Sequence, residues 1–298
     1  MSESSVLLYF DDELTLAQAL GREADLPLAC IERHVFPDGE IKLRLPVPLP
    51  CKVVLLRSLH QPNTKLVEVL LAARTARELG AQHLTLVTPY LAYMRQDIAF
   101  QPGEAVSQKI VGRFLAELFD AVITVDPHLH RISTLREAIP CPQALTPTAA
   151  PLLADFVHSQ CKGALLIGPD EESEQWISAA ARQHGFDHGV CRKTRHGDTH
   201  VEVELPDVPV HGRHVVLLDD IASSGHTLAQ ATRLLLQAGA KTVDVAITHA
   251  LFSGDAVQVV RNAGVRHIWS TDTVAHESSC VSIAPLLARA LSKLGPAD

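Results

Sequence analysis

The chain has 298 residues, of which 47% are hydrophobic and 20% charged, and its formal net charge is −8. This is the balance of a soluble globular protein with room for two ordinary domains, and it excludes a disordered chain. The acidic balance argues against a nucleic-acid partner, which needs clustered Lys and Arg, but leaves room for a small anion held by backbone N–H groups and a metal.

At the N-terminus, MSESSVLLYFDDE has no basic region and too short an apolar run for a signal peptide. No stretch approaches the ~18 apolar residues that span a bilayer, so no membrane partner is expected. Strands are expected near Val6–Tyr9, Lys52–Leu56, Leu84–Thr88 and Ala121–Val125. Helices are expected near Leu14–Leu20, Lys65–Leu79 and Ser107–Leu118. Short apolar strands alternating with amphipathic helices predict an α/β fold with mainly parallel sheets covered on both faces. The proline-rich stretch Pro140–Pro151 marks a boundary, giving domains of residues 1–145 and 146–298.

The second half repeats the theme, with strands at Ala164–Ile167, Val215–Leu218 and Val243–Thr248 and helices at Ser173–His184 and Thr227–Ala238. RELGAQHLTLVT in the first half and LLLQAGAKTVDVAIT in the second share a helix, a Gly-Ala pair and a strand, which is compatible with a duplicated architecture. Six cysteines lie far apart with no C-x-x-C pair, as expected in a reducing cytoplasm.

The segment Val215–Thr227 reads VVLLDDIASSGHT. A buried strand, a loop of small polar residues and a helix start form a phosphate cradle, because loop and helix amides point at the anion. Ser223, Ser224 and Thr227 can add hydroxyl hydrogen bonds, with Gly225 and His226 completing the turn. Asp219 and Asp220 would repel a phosphate and should face sugar hydroxyls or Mg²⁺, so a phosphorylated sugar satisfies both halves. The plainer alternative is an N-capped helix after a buried strand, with exposed acids. The G-K-[ST] ending of a Walker loop is absent.

This segment resembles the phosphoribosyl-diphosphate signature of type I phosphoribosyltransferases and ribose-phosphate diphosphokinases. Further motifs resemble the diphosphokinases over nearly the whole chain: Phe36-Pro37-Asp38-Gly39-Glu40, Asn63–Glu68, Pro89–Asp97 (PYLAYMRQD), Pro102-Gly103-Glu104 with Ser107 and Lys109, Val125–His128, Gly168-Pro169-Asp170 and Lys193-x-Arg195. The compact length and the YLAYMRQD phrase resemble the shorter, archaeal-like class, which implies weaker control by ADP and phosphate.

The resemblance implies two type I phosphoribosyltransferase-like domains, the first on the nucleotide side and the second carrying the ribose 5-phosphate loop and a catalytic flap. It implies that ATP gives its β,γ-diphosphoryl group to the C1 hydroxyl of ribose 5-phosphate, in the service of nucleotide biosynthesis. Lys193 and Arg195, beside Gly197, would be the catalytic cations of the flap. Arg95 and Gln96 would bind ATP, while Phe36, Asp38 and Glu40 would complete the adenine site of a neighbouring subunit in a homodimer or larger homo-oligomer. His128 and Asp170 would meet on Mg²⁺, or His128 would touch a phosphate; the H-x-H pair with His130 falls short of a zinc site.

Three departures stand out: His226 where many members have Gly, Pro127 for Leu, and Glu171-Glu172-Ser173-Glu174 after Asp170. If position 226 needs φ > 0, His costs on the order of 1 kcal/mol there. The alternatives are a nucleobase phosphoribosyltransferase, which leaves the first-half motifs without work, and a catalytically silent relative that regulates active diphosphokinases.

Overall fold

A computed structural model describes residues 5–129, 131–196 and 200–295, which form two compact units, the first running to residue 147 and resuming at residue 284, the second spanning the described residues between 148 and 283. The boundary therefore falls within the proline-rich stretch, while the C-terminal residues, assigned by sequence to the second domain, return to the first unit.

The first unit carries β1 (Ser5–Phe10), α1 (Leu14–Glu23), β2 (Leu28–Val35), β3 (Ile41–Arg44), β4 (Lys52–Leu56), α2 (Pro62–Glu78), β5 (His83–Val87), α3 (Ser107–Leu118), β6 (Ala121–Ile123), α4 (Leu135–Ala138) and β7 (Gln143–Leu145). Its sheet runs β3-β2-β1-β4-β5-β6-β7, and every pairing is parallel except that of β2 with β3. Strands β4 and β5 are buried over four successive residues each because both faces are covered. Leu8, Leu55 and Leu86 form its core with Val69, Ala72 and Ala76 of α2. The β2–β3 hairpin escaped the sequence reading because its residues alternate with charges and lie largely exposed at the sheet edge.

The second unit carries α5 (Ala150–Gln160), β8 (Leu165–Gly168), α6 (Glu174–His184), β9 (His188–Val190), β10 (Arg192–His196), β11 (His200–Glu204), β12 (His214–Ala222), α7 (His226–Gln237), β13 (Thr242–Ala250), α8 (Ala256–Asn262), β14 (Val265–Thr271) and β15 (Ser279–Val281). Its parallel sheet runs β15-β14-β13-β12-β8-β9, and β10 and β11 form a separate antiparallel hairpin. Alternation along β12 sends Val215 and Leu217 into the core under α7, and Val216 and Leu218 into the core under α5 and α6.

Reading the second sheet from its other edge gives β9-β8-β12-β13-β14-β15, the same winding as β2-β1-β4-β5-β6-β7 of the first. The two Gly-Ala phrases fall at matching places, between α2 and β5 and between α7 and β13. The helices after the last strands break the sequential pattern. α5, which follows β7, packs on α6 of the second unit, while α9 (Ala284–Leu291), which follows β15, packs on α1 of the first.

Candidate active site

β12 is longer than the sequence predicts and carries Asp219 and Asp220 inside the strand, at the carboxyl end where ligands of parallel sheets bind. The loop that follows is cradled by the segment after β13: Phe252 N–H donates to Ala222 O at 2.9 Å and Ser253 N–H to Ser223 O at 3.0 Å. Gly225 supplies the left-handed residue at the start of α7, with φ 73°, and no side chain caps the helix. The capped-helix alternative therefore does not describe this loop, and the first-turn amides stay available to an anion.

His226 is an exposed first residue of α7 with no positive φ, so the strain anticipated there belongs to Gly225 instead. Ser223 and Thr227 are half-buried around the loop and Ser224 is exposed.

Asp170 follows β8, the strand beside β12. Lost hydration, then the charges of Asp220 and Asp170, push the Asp219 carboxyl well above its ordinary value. The Asp170 turn is tight. Ser173 Oγ donates to Asp170 O at 2.6 Å, and a Cβ on Gly168 would stand 2.0 Å from Ser173 Oγ and force that side chain from its hydrogen bond.

Within the Glu171–Glu174 run, Glu171 opens a short 3₁₀ turn and faces Arg192 at 3.7 Å, and Glu174 lies exposed in the first turn of α6. There the positive end of the helix dipole favours acids. Among the described residues, no group of three or more His, Cys, Asp or Glu is arranged as a ready metal cage. The carboxylates Asp170, Asp219 and Asp220 are nonetheless hard oxygen donors whose mutual repulsion a divalent cation would relieve, which suits Mg²⁺.

Lys193 and Arg195 occupy positions i and i+2 of β10, opposite Val203 and Val201 of β11. Gly197 lies outside the described residues, as does His130. His128 is half-buried after β6, in the first unit.

In the first unit, the Phe36–Glu40 motif is the exposed turn of the β2–β3 hairpin. Phe36 N–H donates to Glu40 O at 2.8 Å, Gly39 takes φ 92°, and the Phe36 ring meets His34 edge-on at 4.8 Å. Phe36, Asp38 and Glu40 all face outward.

Arg95 and Gln96 share a concavity of about 570 Å³ after β5, with Tyr90, Tyr93, Phe100 and Glu104 around them. Gln96 Nε2 donates to Ile98 O at 2.9 Å, and Glu104 accepts the Phe100 N–H at 2.7 Å. The aromatic rings here carried no assigned role in the sequence reading; the two tyrosines of PYLAYMRQD were the available signal. Asp97, from the same motif, turns inward and accepts from Arg131 Nη1 at 2.6 Å.

Comparison with known proteins agrees with this geometry. The N-terminal domain of ribose phosphate pyrophosphokinase matches residues 6–118, and the phosphoribosyl transferase domain matches residues 149–291. The ribose-phosphate pyrophosphokinase of Methanopyrus kandleri is 35% identical over 97% of this chain and 99% of its own. That of Methanosarcina acetivorans is 37% identical over 93% and 94%. A crystal structure of phosphoribosylpyrophosphate synthetase from Mycobacterium smegmatis superposes with a TM-score of 0.84 at 25% identity, covering 97% of this chain and 98% of that one. The two units are those of a phosphoribosyltransferase-type α/β protein. The chain belongs to the ribose-phosphate pyrophosphokinase family.

Proposed function

We propose that this chain transfers the β,γ-diphosphoryl group of ATP to ribose 5-phosphate, giving AMP and 5-phospho-α-D-ribose 1-diphosphate. The observation that carries this reading is the presence, in one chain, of an uncapped phosphate loop preceded by two carboxylates and a separate arginine-bearing aromatic concavity. A nucleobase phosphoribosyltransferase would use only the first of these.

The loop amides of Ser223–Thr227 hold the 5-phosphate, and Asp219 and Asp220 face the ribose hydroxyls. Arg95 and Gln96 bind the nucleotide, with Phe36, Asp38 and Glu40 of a second subunit completing the adenine site. The outward-facing hairpin turn supports that sharing and hence a homodimer or larger assembly.

The C1 hydroxyl attacks the β-phosphorus, the bond to the α-phosphate oxygen breaks, and AMP leaves as the hydroxyl proton is lost. Lys193 and Arg195 neutralise the charge that develops on the transferring group. Mg²⁺, held by Asp170 with help from His128, would neutralise and orient the triphosphate oxygens. No helix among the described residues is long and apolar enough to cross a membrane. Free cysteines accord with a reducing cytoplasm.

The test is incubation with Mg²⁺, ATP and ribose 5-phosphate. AMP should form in step with the diphosphate product, and absence of AMP would overturn the reading.

A further inference from the structure

The matched windings place β4 and α2 of the first unit where β12 and α7 stand in the second. The first unit therefore owns a counterpart of the phosphate loop, residues 57–63. The likeness extends to the backbone: Gln61, like Gly225, is a left-handed residue opening its helix, and neither helix has a side-chain cap. The chemistry differs completely.

Where the second unit gathers hydroxyls, the first gathers internal charge. Lys65, 7% exposed, turns back and donates its ammonium to Ser58 O at 2.9 Å, with the His60 ring 3.1 Å away. Arg57, 1% exposed, fills the strand end, donating to Asp12 at 2.7 Å and Glu68 at 2.5 Å while lying over the Phe10 ring at 4.5 Å. Glu13 accepts the Ser58 N–H at 2.8 Å. The ammonium and both terminal guanidinium nitrogens are thus already matched by protein groups, and the Arg57 Nε, which has no partner, is buried out of an anion's reach.

This self-satisfied loop is bonded to the nucleotide segment. Leu59 N–H donates to Tyr90 O at 2.8 Å, Tyr90 N–H donates to Ser58 Oγ at 3.4 Å, and Tyr93 Oη donates to Asn63 Oδ1. Tyr93 sits at φ 64°, a strained conformation that needs outside support, two residues before Arg95.

We propose that the first unit's copy of the phosphate loop has given up ligand binding and become a positioning element, holding Tyr90–Tyr93 so that Arg95 and Gln96 meet the nucleotide. Asn63 and Lys65 are positioning residues in this arrangement, since they act through the segment they hold. The inference rests on the proposed nucleotide role of Arg95 and Gln96.

Two variants and two binding measurements test it. Asn63→Ala and Lys65→Met should each raise the KM for ATP by roughly tenfold, with kcat changed less than threefold and the KM for ribose 5-phosphate unchanged. Asn63→Asp, which keeps an oxygen acceptor for Tyr93, should restore the wild-type KM. A general structural defect would instead move both KM values and would not be rescued.

Calorimetry on the whole protein should find one ribose 5-phosphate per chain. A second site that is lost in Lys65→Met would show that loop 57–63 still binds ligand and would overturn the inference, as would unchanged ATP binding in both variants. Because Mg²⁺-ATP binding is also read by calorimetry, a protein that binds ATP with this pattern but forms no AMP would sink the proposed activity alone.

Discussion

A Cβ on Gly225 would stand 2.9 Å from the carbonyl oxygen of Ala256, at a residue whose φ is 73°. Contact and backbone together leave the loop before α7 no unstrained substitute for glycine. Gly225→Ala is expected to cost about 1–2 kcal/mol in denaturant unfolding and to raise the KM for ribose 5-phosphate tenfold or more. The KM for ATP should move less than twofold. Steady-state kinetics with each substrate varied separately would reveal the asymmetry.

Lys193→Ala should lower kcat by at least ~100-fold while circular dichroism and thermal midpoint stay near wild type, the scale of one lost transition-state contact. A drop under fivefold would remove Lys193 from the catalytic role.

At Asp219 the folded chain holds a carboxyl against the neighbouring charges of Asp220 and Asp170. Asp219→Asn should therefore raise the thermal midpoint in metal-free buffer by about 2–4 °C. Added Mg²⁺ near Asp170 would relieve the same repulsion, so it should raise the midpoint of the wild type more than that of the variant, with the variant's activity reduced ~100-fold or more. Differential scanning fluorimetry with and without Mg²⁺ reads the first two outcomes directly.

Burial, with the charges of Lys65 and Arg57, lowers His60 from 6.5 to about 4. The unfolded chain thus binds a proton near 6.5 that the folded chain refuses until about 4. Between these values the unfolded state holds more protons, so stability falls as pH drops through the window. Because His60 is only half-buried, the effect should be about 1–2 kcal/mol, after allowance for solvent screening. Urea unfolding of His60→Asn from pH 7 to pH 4 should lose that slope.

Much of the architecture is readable from residue pattern because strands covered on both faces must be continuously apolar: KVVLL of β4 and HVVLL of β12 announce themselves. The β2–β3 hairpin and β14 are hidden because edge or half-exposed strands mix charges into the alternation. The strand, loop and helix start of Val215–Thr227 are legible as a local phrase, and only the left-handed residue shifts by one, from 226 to 225. The charge network around Arg57 is not legible. Its members at 12 and 13, at 33 and at 68 come from three separate elements, and each alone looks like an ordinary surface charge.

The exchange of helices between the two units has a consequence for vectorial synthesis. Ala284, Leu287 and Ala290 of α9 are buried in the first unit, yet they are translated after the whole second unit. A nascent chain stopped at residue 147 has every strand of its sheet but leaves one flank of α1 uncovered, with apolar surface facing the chaperones that meet it. The first unit to be made is thus the last to be sealed, and cleavage near residue 283 should expose it while leaving the sheet of the second intact.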